Sequence, residues 1–175
     1  ANIEVKDKNG FTPLIIAASR GNIYTVELLL EKGANIEAKS NVGVTALLYA
    51  SLNGLTEIVA LLLKKGANIE AKLQDGSNSL MAAAMEGQTE IVELLLNKGA
   101  NIEAKSNYGS TALIFACLEG HTETVALLLK KGANIGQINT DGKTALSIAE
   151  EKGYSAIVKL LKSTSLTSTV NKTVI

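Results

Sequence analysis

The chain has no tryptophan, one cysteine, one proline, one histidine, two phenylalanines and four tyrosines in 175 residues. A lone Cys117 leaves no partner for an internal disulfide, so a small bridge-stapled secreted scaffold is excluded and a reducing, cytoplasmic setting is expected. A secreted, host-directed effector is a second setting, and only there would the sequon Asn171 to Thr173 matter; it is read as chance. No apolar run approaches the 18 residues of a spanning helix, and no signal peptide is visible. Charge of one sign is missing too: 17 basic and 17 acidic residues cancel, which removes the electrostatic basis for binding nucleic acid or a membrane. Catalysis is equally short of material, because the one histidine has no partner constellation around it.

What is present is a period. Gly10, Gly43, Gly76, Gly109 and Gly142 stand 33 residues apart, and so do Leu14, Leu47, Leu80, Leu113 and Leu146 and then Ala17, Ala50, Ala83, Ala116 and Ala149. Self-similarity at this spacing marks a solenoid, whose units bury their apolar faces only against neighbours. Units of 1–33, 34–66, 67–99, 100–132 and 133–165 fill the chain up to a polar tail at 166–175, expected to be disordered. Ala1 holds the register of Ala34, so a preceding repeat or cap is expected, and the leading face of the first unit should be exposed and self-associating while the array is otherwise a monomer. Glu150, Glu151, Lys152, Lys159 and Lys162 give the last unit the water-facing side of a C-terminal cap.

One unit resolves into three parts. Thr45 is a helix N-cap, Leu47 and Ala50 share a face, and Gly54 ends a first helix of about two turns. Glu57 to Lys65, with Ile58, Leu61 and Leu62 at amphipathic spacing and Gly66 beyond, is a second helix. Gly66 to Asp75 lacks helical periodicity and ends in Gln74, Asp75 and Gly76, which suits an extended finger closed by a turn. The small Ala column lets helices approach, and the Leu-Leu runs from 28, 61, 94, 127 and 160 fill the space between units.

Laid out this way, the chain resembles the ankyrin repeat family from Ala1 to about Ser165. Asp7-Lys8-Asn9-Gly10-Phe11-Thr12-Pro13-Leu14 with Ala17, Ala18 and Gly21 is similar to that family's opening motif, and Val125 to Leu129 with Gly132-Ala133-Asn134 to its second half. The resemblance implies an all-α solenoid of stacked helix-turn-helix units with β-hairpin fingers, acting as a non-enzymatic protein-binding scaffold. One departure is consistent: the family's histidine position holds Ile15, Leu48, Met81, Ile114 and Ser147, so apolar packing is expected to replace its polar ties.

The other candidate chemistry is bland. His121 follows Gly120 where such repeats carry a structural histidine, and Cys117 sits in a buried alanine column. Asp7, Asp75 and Asp141 adjoin turn glycines as turn formers, and the further ligands of a calcium loop are missing around Asp7. No catalytic residue, metal or cofactor is assigned. The Glu37, Glu70 and Glu103 row and the Lys39, Lys72 and Lys105 row are expected to be a solvated charge ladder that aids solubility.

The family resemblance puts partner binding on the finger tips and the exposed side of the first helices. In this chain those positions include Lys8, Asn9, Phe11, Ser19, Arg20, Asn41, Val42, Val44, Leu52, Asn53, Gln74, Asp75, Ser77, Met85, Glu86, Asn107, Tyr108, Ser110, Leu118 and Glu119. Leu52, Met85 and Leu118 share one register where a solvated surface would favour polar residues, and Phe11, Val42, Val44 and Tyr108 extend them as an apolar stripe. Asn53, Glu86, Glu119 and Arg20 would rim it. The competing reading folds these side chains into the core. A protein or peptide partner is expected in the groove; an engineered or excised scaffold without native ligand is the alternative. Thr173-Val174-Ile175 also has the form of a carboxy-terminal ligand for strand-adding domains.

Overall fold

A computed structural model describes residues 2–170 of the chain. They form ten helices: α1 (Pro13–Ser19), α2 (Ile23–Glu31), α3 (Ala46–Leu52), α4 (Thr56–Lys64), α5 (Ser79–Met85), α6 (Thr89–Asn97), α7 (Ala112–Glu119), α8 (Thr122–Lys130), α9 (Ala145–Glu151) and α10 (Ser155–Val170). Each odd-numbered helix packs on the even one that follows it, the odd helices stack in order as one layer, and the even helices stack as another. This is the expected all-α solenoid of helix pairs.

Helix starts are set locally. Thr12, Thr45, Asn78, Thr111 and Thr144 each accept, through a side-chain oxygen, the backbone N–H three residues on, from 3.1 Å at Asn78 to 3.4 Å at Thr12. The first helix of the second unit begins after Thr45 as anticipated, and the second helix begins one residue earlier than Glu57. Between the helices of a pair a glycine turns the chain. Gly87 shows why: its φ is +67°, and a Cβ there would lie 2.6 Å from Nδ1 of His121 in the next unit.

The core runs unbroken through the units. Leu14, Leu47, Leu80 and Leu113 are each about 1 % exposed, whereas Leu146 of the last unit, with no following unit among the described residues, is half-buried. Within the Leu-Leu runs of the three middle units the second residue goes inside: Leu62, Leu95 and Leu128 are fully buried, and Leu61, Leu94 and Leu127 are half-buried at the edge. Val26, Val59, Val92 and Val125 form another fully buried column. Ile15, Leu48, Met81 and Ile114, at the histidine position, are buried as apolar filling, and Ser147 instead completes a capping box with Thr144.

Two buried hydroxyls, Ser51 in α3 and Ser79 in α5, make no hydrogen bond among the described residues. The matching positions carry Ala18, Ala84 and Cys117 for the first, and Ala46, Ala112 and Ala145 for the second. Ser51→Ala is therefore expected to raise stability by about 1 kcal/mol, since an unsatisfied buried donor is removed at constant shape. The check is a higher urea midpoint with an unchanged slope; a midpoint that falls would show that Ser51 has a partner in solution.

The fingers are turn-closed loops, and paired strands are nearly absent. Among the described residues the one isolated β-bridge is antiparallel, between Ile138 and Thr144. Each finger closes with two backbone bonds across its turn, such as Leu73 N–H to Ser77 O at 2.8 Å and Gly76 N–H to Leu73 O at 3.1 Å. Its tip then bonds to the neighbouring finger: Asn41 N–H to Asn9 O, Asn107 N–H to Asp75 O and Thr140 N–H to Tyr108 O. The fingers are too short for a ladder of their own and take their partners from the stack.

The charged rows also differ from the expectation of a solvated ladder. Backbone N–H groups of Asn35, Asn68, Asn101 and Asn134 donate to Oε1 of Glu4, Glu37, Glu70 and Glu103, at 2.7, 2.7, 2.7 and 2.8 Å. Each carboxylate thus ties its own unit to the next. Lys6 and Lys72 donate to the carbonyls of Lys39 and Lys105 in the neighbouring fingers. The series ends at Gly136, which has no carboxylate to offer, while the Gln137 amide donates to Glu103 Oε2.

The tail expected to be disordered from residue 166 is helical as far as Val170. Just before it, Ser163 Oγ and Thr164 Oγ1 donate to Leu160 O, and Ser165 Oγ to Lys162 O. Such back-bonding satisfies the hydroxyls within a helix that buried Ile157 and Leu161 anchor to the stack. The carboxy-terminal motif Thr173-Val174-Ile175 and the sequon lie outside the described residues.

Candidate partner-binding groove

The face where fingers overhang the odd-numbered helices holds two adjoining hollows. The first, about 160 Å³, is lined by Val44, Leu48, Tyr49, Leu52, Leu73, Asp75, Ser77, Met81, Ala82, Met85 and Phe115. Phe115 also walls the second, about 530 Å³, which Tyr108, Leu118, Asp141, Lys143 and Lys152 help to line. Caps and turns place these groups: Thr45, Asn78 and Thr111 start the helices in one register, so residues near their C-terminal ends point to the same side.

The anticipated stripe is therefore divided. Val44, Leu52, Asp75 and Met85 meet in the first hollow, and Tyr108 and Leu118 in the second. Leu52, Met85 and Leu118 are half-buried, and Leu118 also packs against the inter-unit core. Phe11 is half-buried with its ring edge-on to Tyr49, centroids 6.2 Å apart at 85°. Val42 is exposed and lines neither hollow. Glu86 caps α5, and Glu119 ends α7, both exposed beside the groove. Asn53 turns back to Tyr49 O through its amide at 2.8 Å. Arg20 lies apart, with Pro13, Ile16 and Leu29 in a shallow hollow of the first helix pair.

Sequence reading missed Tyr49, Phe115, Leu73 and Ala82. A signal existed, since positions 16, 49, 82, 115 and 148 form a column whose side-chain size alternates, but a lone residue type says nothing about which neighbour it faces.

The remaining candidates are structural. His121 Nε2 is 2.8 Å from Met85 O of the preceding unit, a tie between helix pairs. Burial pushes the Cys117 thiol up to about 12, so it stays protonated and unreactive at neutral pH. Asp75 Oδ1 accepts Ser77 N–H at 2.9 Å, and Asp7 Oδ1 accepts Phe11 N–H at 2.9 Å, both as turn formers. Lys143 holds Glu151 at 2.7 Å, and that hydrogen bond raises the lysine above its usual range. Among the described residues no group of three acidic, histidine or cysteine side chains is placed to hold a metal, and no helix is long and apolar enough to cross a membrane.

The family model described as ankyrin repeats (3 copies) matches residues 1–73 and 80–173. No curated protein matches the chain. Covered over nearly its whole length by that family's pattern, and stacked as the pattern requires, the chain belongs to the ankyrin repeat family.

Proposed function

We propose that this protein is a non-enzymatic scaffold that binds a protein or extended peptide through its concave groove and finger tips. Ankyrin repeats are in general protein-interaction modules. The observation that carries the reading to particular residues is the pair of adjoining hollows, the first apolar and lined by Val44, Leu52 and Met85 with Asp75, the second mixed and lined by Tyr108 and Leu118 among polar groups. Apolar surface left at a groove and rimmed by charge is what an interface core presents before its partner arrives.

Affinity capture with the wild-type chain, compared with Met85→Glu and Leu118→Glu, tests it. Partners retained by wild type and lost by both variants, with melting temperatures close to wild type, are the expected result. Retention of the same partners by both variants would place binding elsewhere, and a collapse of stability in both would return these side chains to the core.

A further inference from the structure

The first hollow owes its existence to one small residue. Positions 16, 49, 82, 115 and 148 hold the same place in α1, α3, α5, α7 and α9 and read Ile16, Tyr49, Ala82, Phe115 and Ile148. Where Ala82 falls between two aromatic neighbours, the layer of side chains is interrupted and about 160 Å³ stays open above buried Leu48 and Met81. A dry, apolar cavity of about 150 Å³ is large enough to take a benzene ring. Tyr49 is held edge-on by Phe11, so one wall of the space is formed before any ligand enters.

The charge at its mouth narrows the occupant. Asp75 is the one charged residue in the lining; its Oδ1 is taken by Ser77 N–H, and no ion pair among the described residues uses it. Glu86 and Glu119, exposed at the ends of α5 and α7, add to the negative side of this stretch. The second hollow differs, because Lys143 and Lys152 line it and Glu151 is bound to Lys143.

Resting on the groove reading above, we propose that this hollow is a specificity pocket for an aromatic side chain that adjoins a basic residue in a bound peptide. The ring inserts between Tyr49 and Phe115 over Ala82, and the neighbouring lysine or arginine pairs with the Asp75 carboxylate. Edge-to-face contact with the two rings and a cation at the rim select this combination over an aliphatic or acidic one.

The test uses a small probe that carries both features. The ¹⁵N-labelled full chain is titrated with 2-phenylethylguanidinium, with phenylacetate and guanidinium alone as controls. Saturable amide shifts centred on Ala82 and Phe115 are expected, strongest for the probe that joins ring and cation. Ala82→Ile, which places in this column the residue already accommodated at positions 16 and 148, is expected to abolish those shifts without loss of fold. Asp75→Asn keeps an oxygen for Ser77 N–H and is expected to weaken the cationic probe about threefold while leaving phenylacetate no weaker. Absence of saturable shifts at these amides, equal binding by Ala82→Ile, or an unchanged preference for the cation in Asp75→Asn would overturn the assignment. If the probe fails while Met85→Glu still abolishes partner capture, the pocket falls and the groove reading stands.

Discussion

Leu95→Ala is expected to destabilise the array by about 2–5 kcal/mol, the usual range for emptying a fully buried leucine site. Leu95 is 0 % exposed and lies in α6, which packs on α5 and also on α4 and α8 to either side. The lost methyls leave a void that cannot collapse easily, because the same helix is held from both neighbouring units. Leu94 is the internal control: it differs by one position and is only half-buried, so its replacement by alanine should cost clearly less. Urea unfolding followed by far-ultraviolet circular dichroism measures both. Each unit is stable only through its neighbours, so the loss is expected to propagate beyond the third unit and lower the midpoint of the whole array. Equal losses at 94 and 95, or a loss at 95 below about 1 kcal/mol, would be incompatible with the packing described.

Glu70→Ala should be the most damaging change among the surface charges, at about 2–3 kcal/mol. Oε1 of Glu70 accepts Asn101 N–H at 2.7 Å, and Oε2 accepts the Asn78 amide at 2.9 Å. Asn78 is fully buried and caps α5 through Met81 N–H, so removing the carboxylate leaves its amide without this acceptor and loosens a helix start. Glu37 offers a graded comparison. Among the described residues its carboxylate accepts Asn68 N–H alone, and Glu37→Ala is expected to cost roughly half as much. Repeating the measurement in about 1 M salt separates hydrogen bonding from exposed charge, because a Debye length of about 3 Å erases the latter. A Glu70→Ala effect that vanishes in salt would restore the solvated-ladder reading.

Much of the architecture was legible because a repeat writes the same physical requirement several times over. Thr12, Thr45, Thr111 and Thr144 cap helices, the Leu14 series fills the core, and one instance of each could be checked against the next. The groove was half legible. Leu52, Met85 and Leu118 stood out by breaking the polarity expected of a helix end, and they do reach the groove edge, yet whether a half-buried side chain serves core or surface depends on the spacing of the units. Val42 was grouped with them by type and lies outside both hollows.

What eluded the sequence was everything that passes between units. Glu4, Glu37, Glu70 and Glu103 look like solvated charge along the chain; in space each sits against the backbone of a residue 31 positions on. The hollow over Ala82 likewise exists only because Tyr49 and Phe115, on separate helices, stand on either side of it. The helix α10 also runs on to Val170, past the buried Leu161, although the tail's composition offers little to bury.

The amino-acid order alone determined the period, the helix pairs, their caps and the columns that must be buried, since these follow from local backbone preference and from hydrophobic spacing within a single unit. Tertiary structure decided which charges are ties between units and where the stacked surface opens into a pocket. Those outcomes are set by distances across neighbouring units, and such distances come into being only when the units stack.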